Sequence, residues 1–92
     1  MLPIPSWMVS ADVLIIQFLN GHERPFVIRP TAVSKNISIS DSHAQRRLRH
    51  LQEAGLVESV ADPGYYMITE DGQRFHSGTI SREELETREP EL

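Results

Sequence analysis

Ninety-two residues, 39% of them hydrophobic, carry 9 basic and 13 acidic side chains for a net charge of −4, with no cysteine anywhere. At that length about 60–65% of the unfolded chain's surface is buried, enough for one core and one domain. The absence of cysteine excludes disulfides, thiolate metal sites and cysteine nucleophiles, while "MLPIPSWM" lacks the pattern of a secretory leader and no stretch nears the roughly 20 apolar residues of a membrane span. A cytoplasmic protein is the expectation.

Pro3 and Pro5 forbid an early helix, and Trp7 and Met8 are expected to pack across the domain or against a second copy. The first helix is read over "SADVLIIQFLN", with Ser10 as N-cap, Asp12 at the positive end of the dipole and Gly21 closing the far end. Val13, Leu14, Ile16 and Phe18 make it a broad central core helix. "HERPF" is a loop, and "FVI" at 26–28 is short enough to be a minimal strand. Pro30 suits the first turn of a second helix, with Arg29 extended before it, running to about Asn36 and burying Val33. "ISIS" must then turn sharply, and Ser40 caps a third helix that reaches Ala54 and stops at Gly55.

Beyond Gly55 the periodicity alternates. "LVESV" and "YYMI" flank "ADPG", whose Pro-Gly pair fits a type II turn, so a hairpin is expected. Thr69 caps a fourth, short helix that Gly72 weakens, and Ser81 with Glu84 forms a capping box for one further turn. The last ten residues hold five glutamates and a proline and are expected to fray. This divides the chain into a domain over 1–80 and an acidic tail over 81–92.

The charge is unevenly spread. Residues 1–20 carry −1, residues 21–50 carry +4 and residues 51–92 carry −7. A basic middle between acidic flanks is what steering toward a polyanion uses. On a wheel at 100° per residue, Ala44, Leu48 and Leu51 share one face of the third helix and must turn to the core. The opposite face presents Ser42, Arg46, Arg49 and Glu53, with His43 and His50 on one edge and Gln45 on the other. Arginine pairs bidentately with guanine and glutamine with adenine, while serine and histidine reach bases or backbone. Arg47 lies at the core edge, placed to pair with an acid or clamp a phosphate. A short helix, a tight turn and a helix with such a face form a helix-turn-helix, in which Val33, Ile37, Ile39, Ala44, Leu48 and Leu51 take the buried positions and Ser34 the close approach.

Residues 30–72 resemble winged helix-turn-helix transcriptional regulators. The run "SWM…ADVLIIQFL…RPTAVSKNISISDSHAQRRLRHLQEAGLVESV…GYYMITEDGQRF" is similar to the phage phi-H repressor-like regulators of halophilic archaea over roughly residues 6–80. The resemblance implies an α+β, mostly α fold: a three-helix core, a β-hairpin wing and a short C-terminal helix. It also implies binding of operator DNA as a homodimer, with the third helix in the major groove, and no cofactor. Ser42, His43, Gln45, Arg46 and Arg49 match the reading positions; Arg29, Thr31, Lys35 and Ser40 complete the expected DNA contacts. Two departures stand out. Ser38 occupies a turn position where many such units place glycine, and no lysine or arginine lies between residues 50 and 73, so an acidic wing bearing Glu58 and Asp62 is expected to pack rather than grip phosphate.

Other chemistries find little purchase. His43 and His50 are two turns apart, too far to share a metal unaided, while His22 and His76 sit in unrelated segments. No serine stands in a hydrolase elbow, and no glycine-rich phosphate loop occurs, so neither a metal site nor catalysis is expected. The rival is a protein-binding winged-helix adaptor, whose arginines meet an acidic partner and whose "LPIPSWM" segment offers an apolar patch.

Overall fold

The computed structural model describes residues 3–21, 27–61 and 64–91. In chain order these form α1 (Ser10–Asn20), α2 (Pro30–Ile37), α3 (Asp41–Glu53), β1 (Val57–Ala61), β2 (Tyr65–Ile68), α4 (Glu70–Ser77) and α5 (Arg82–Glu86). The "HERPF" loop and the Asp62–Pro63 step of the hairpin turn lie outside the described residues.

α1 is the helix around which the others close. Ile15, Ile16 and Leu19 are fully enclosed, and Asp12 is buried on the same stripe. The broad face anticipated from Leu14 and Phe18 is narrower, because Leu14 remains 43% exposed. Capping also shifts by one residue. Ser10 is already helical, and the cap is Val9, whose N–H donates to Asp12 Oδ2 at 2.9 Å. Gly21 closes the helix at φ −77°, without using left-handed backbone.

α2 begins as expected, with extended Arg29 followed by Pro30 at the first helical position. It ends on Ser38 at φ 60°, whose N–H reaches the Ser34 carbonyl together with that of Ile39. Left-handed backbone costs an L-residue about 1–2 kcal/mol, part of which glycine returns through its freer unfolded chain. Ser38→Gly should therefore stabilise the fold by about 0.5–1 kcal/mol in urea titration; a loss of stability would mean that serine is not strained there. The next contact is close. The buried Ser34 hydroxyl sits between the Thr31 carbonyl at 2.9 Å and the Asp41 carboxylate, tying α2 to the start of α3.

α3 stops through a Schellman arrangement at Gly55, φ 81°, with Leu56 N–H to Leu51 O at 2.9 Å and Gly55 N–H to Gln52 O at 3.0 Å. Val57 then pairs with Ile68 in an antiparallel hairpin, bulged between Ser59 and Ala61 so that exposed Val60 is the extra residue. The short strand anticipated at 26–28 reduces to one residue: Ile28 bridges Tyr66, exchanging amide bonds of 2.9 and 2.8 Å. β2 thus has neighbours on both edges at Tyr66.

Thr69 caps α4 through Gly72 N–H at 3.0 Å and also donates to the Gly55 carbonyl at 2.7 Å. Phe75, Ile80 and Leu85 complete a core shared with Leu48, Leu51, Leu56 and Val57. Each such side chain contributes about 1.5–3 kcal/mol of burial, set against the entropy of ordering the chain.

The expectation that the last ten residues fray is overturned. Ser81 caps α5 as anticipated, Leu85 is fully buried, Trp7 Nε1 donates to the Leu85 carbonyl at 2.9 Å, and Ser6 donates to Glu86 from both its N–H and its hydroxyl. Arg88 completes the anchor. It donates to the Ala54 carbonyl at the end of α3 and pairs with Asp71 at 2.8 Å and Glu84 at 3.2 Å. The hydrogen bond from Arg88 holds the Asp71 carboxyl below its ordinary 3.8, so this contribution is present above that pH and fades as acid takes it through the lowered value. Acidic composition predicts repulsion, whereas Leu85 and the arginines among the acids supply attachment.

Candidate nucleic-acid interface

The local sequence that starts α3 also fixes which way it faces. The Ser40 oxygen accepts the His43 N–H at 3.1 Å, Asp41 lies in the positive first turn, and Ala44, Leu48 and Leu51 are 0% exposed against the core. With that face committed inward, Ser42, Gln45, Arg46 and Arg49 project into solvent as one stripe, about 10.5 Å long from Ser42 to Arg49. α2 sets a second row beside it. Arg29, Thr31 and Lys35 are all exposed.

Two shallow grooves run along this surface. Arg29, Pro30, Thr31, Gln45, Arg49, Gly64 and Tyr66 line one, so residues from the start of α2, from α3 and from the turn end of the hairpin meet there. Arg46, Arg47, Arg49 and His50 line the other. Of the expected residues, Arg29, Thr31, Gln45, Arg46 and Arg49 are brought together in these grooves, while Lys35 and Ser42 are exposed outside them and the remaining two, Ser40 and His43, do not line them either. Ser40 is exposed but spends its oxygen on the cap, and His43 is half-buried, its Nε2 enclosed without a hydrogen-bond partner among the described residues.

The described arginines divide sharply. Arg47 turns inward to Asp12, Arg74 pairs with Asp71, Arg82 with Glu86, and Arg88 with Asp71 and Glu84. Arg29 donates through Nε to the Tyr65 hydroxyl at 2.7 Å, a neutral partner that leaves its charge uncompensated. Among the described residues, the side chains of Arg46, Arg49 and Lys35 make no hydrogen bond and no ion pair, although the Arg46 carbonyl meets His50 Nδ1 at 2.7 Å. Unpaired arginines are suited to anions because they present a planar fork of donors with no intramolecular partner to give up on binding.

Sequence reasoning identified Arg47 as a residue at the core edge but not its partner. Asp12 falls on the same helical stripe as Ile15, Ile16 and Leu19, and a carboxylate on a buried stripe demands a cation; that signal was present. The Arg29–Tyr65 contact depends on register between distant segments and left no local trace.

A three-helix core with an amphipathic third helix, a turn from the second and a following hairpin is a winged helix-turn-helix domain. Residues 1–88 match the family model described as winged helix-turn-helix phage repressor, and the chain belongs to that family. Membership places it among DNA-binding regulatory domains. No curated protein and no solved structure matches the chain. Among the described residues, no helix is long and apolar enough to cross a membrane.

Proposed function

We propose that the protein is a sequence-specific double-stranded-DNA-binding transcriptional repressor that occupies an operator with residues 41–54 in the major groove. The division of the described arginines carries the reading: Arg47, Arg74, Arg82 and Arg88 are ion-paired away from α3's outer face, and the side chains of Arg46 and Arg49 on it are not. In this role Ser42, Gln45, Arg46 and Arg49 meet base edges, Arg29, Thr31 and Lys35 meet phosphates, and Ser40 and His43 flank them. A single copy offers few base contacts, so a homodimer on a palindromic site is part of the proposal. It works in the cytoplasm and needs no cofactor, since blocking access requires only occupancy.

Two substitutions separate the roles. Arg46→Ala should cost about 1–3 kcal/mol on the preferred duplex and relax discrimination at one base pair, whereas Lys35→Ala should weaken every sequence alike and reduce the salt slope by about one. Binding titrations at several salt concentrations read both. Equal losses on preferred and random duplex for Arg46→Ala would remove its base-reading role.

One observation favours a second reading, that of a protein-binding adaptor. Ile4, Val9 and Leu14 stand 42–43% exposed on the N-terminal segment and α1, apolar side chains open to a partner. Competition by unrelated duplex discriminates: a regulator keeps its preferred site, and an adaptor shows weak, unselective binding.

A further inference from the structure

The hairpin of this protein lacks the cations with which a wing would grip a phosphate, yet its first inward step touches the DNA-facing surface through one residue. The Ile28–Tyr66 bridge is antiparallel, so its neighbours Arg29 and Tyr65 stand opposite each other across the strands. The Tyr65 hydroxyl accepts from Arg29 Nε at 2.7 Å, and the guanidinium carbon lies 4.8 Å from the ring centre. Nε is thereby occupied and the side chain oriented, while among the described residues the two terminal nitrogens have no hydrogen-bond partner. Arg29 lines a groove together with Thr31 and Arg49, and no carboxylate among the described residues contributes to it.

We propose that Tyr65 is a positioning residue, the hairpin acting on DNA by ordering Arg29 as a clamp for one backbone phosphate shared with Arg49. The inference rests on the DNA-binding reading above and assigns the wing a role within it. A free arginine must surrender rotamer freedom when it meets phosphate; here the phenol has already restricted it. The acidic hairpin is then no obstacle, because its part is played by the neutral hydroxyl of the first strand residue after its turn rather than by charge.

Tyr65→Phe removes the hydroxyl and keeps the ring, and immobilising one long side chain corresponds to about threefold to tenfold in affinity. Affinities are measured on random-sequence duplex and on a duplex selected from that pool, for wild type, Tyr65→Phe, Arg29→Ala and the double variant. Tyr65→Phe should weaken both duplexes by that factor with the salt slope unchanged, Arg29→Ala should weaken both and lower the slope by about one, and the double variant should match Arg29→Ala. In the free protein, the Arg29 Nε–H resonance should be sharp and slowly exchanging, and lose that protection in Tyr65→Phe. An equal loss from Tyr65→Phe in both backgrounds, or none in either, overturns the proposal. Absence of any wild-type preference for the selected duplex would instead sink the operator reading, with the random-duplex comparison still deciding Tyr65.

Discussion

Asp12→Ala is expected to destabilise the fold by about 3–5 kcal/mol, a large share of the roughly 5–15 kcal/mol available to a small domain. Asp12 is wholly buried and takes Arg47 in a two-pronged grip, Nε to Oδ1 at 2.8 Å and a terminal nitrogen to Oδ2 at 2.6 Å. Oδ2 also accepts the Val9 N–H, so the carboxylate caps α1 while holding α3. Removing it strands the Arg47 side chain, 12% exposed, with no countercharge and leaves the first turn of α1 uncapped. The same physics makes the paired replacement informative. Asp12→Leu with Arg47→Met should recover most of the loss, since apolar packing of similar volume rivals a buried ion pair. Urea unfolding measures both, and a loss below about 1 kcal/mol for Asp12→Ala would mean that the pair is not formed.

Gly72→Ala is the second large effect, and its sign runs against helix propensity. In an exposed helix the change adds up to about 1 kcal/mol of stability. Here an added Cβ would overlap the Leu56 carbonyl oxygen and stand 2.6 Å from Ile68 Cγ1, because α4 lies directly on the backbone that leaves α3. Backbone cannot yield as a flexible side chain can. A loss of about 3 kcal/mol is expected, read as a fall in denaturation midpoint at constant slope; a gain would show that α4 sits away from Leu56.

Gly72 also shows what a sequence can and cannot disclose. Its presence in a short helix reads as weakness, and only tertiary approach reveals it as a requirement. Elements governed by neighbouring residues were legible: Ser40, Thr69 and Ser81 cap their helices, Pro30 opens α2, Gly55 stops α3, and Ala44, Leu48 and Leu51 face inward. Elements governed by distant partners were not. Asp12 sits in the first turn of α1 as its helix position predicts, but its grip on Arg47 does not follow from that, and the acidic C-terminus reads as loose although Leu85, Trp7 and Arg88 pin it. For the candidate interface, the outward stripe of α3 follows from periodicity alone. The Arg29–Tyr65 contact and the inward turn of His43 follow from packing that periodicity does not encode.

The most direct test of the central claim is selection of bound sites from random duplex DNA by the wild-type protein and by Arg46→Ala. An enriched motif with two-fold symmetry for the wild type, degraded at one symmetric position in Arg46→Ala, is the expected outcome. Recovery of no motif, or of an identical motif from both proteins, would contradict the assignment of α3's outer face to reading DNA.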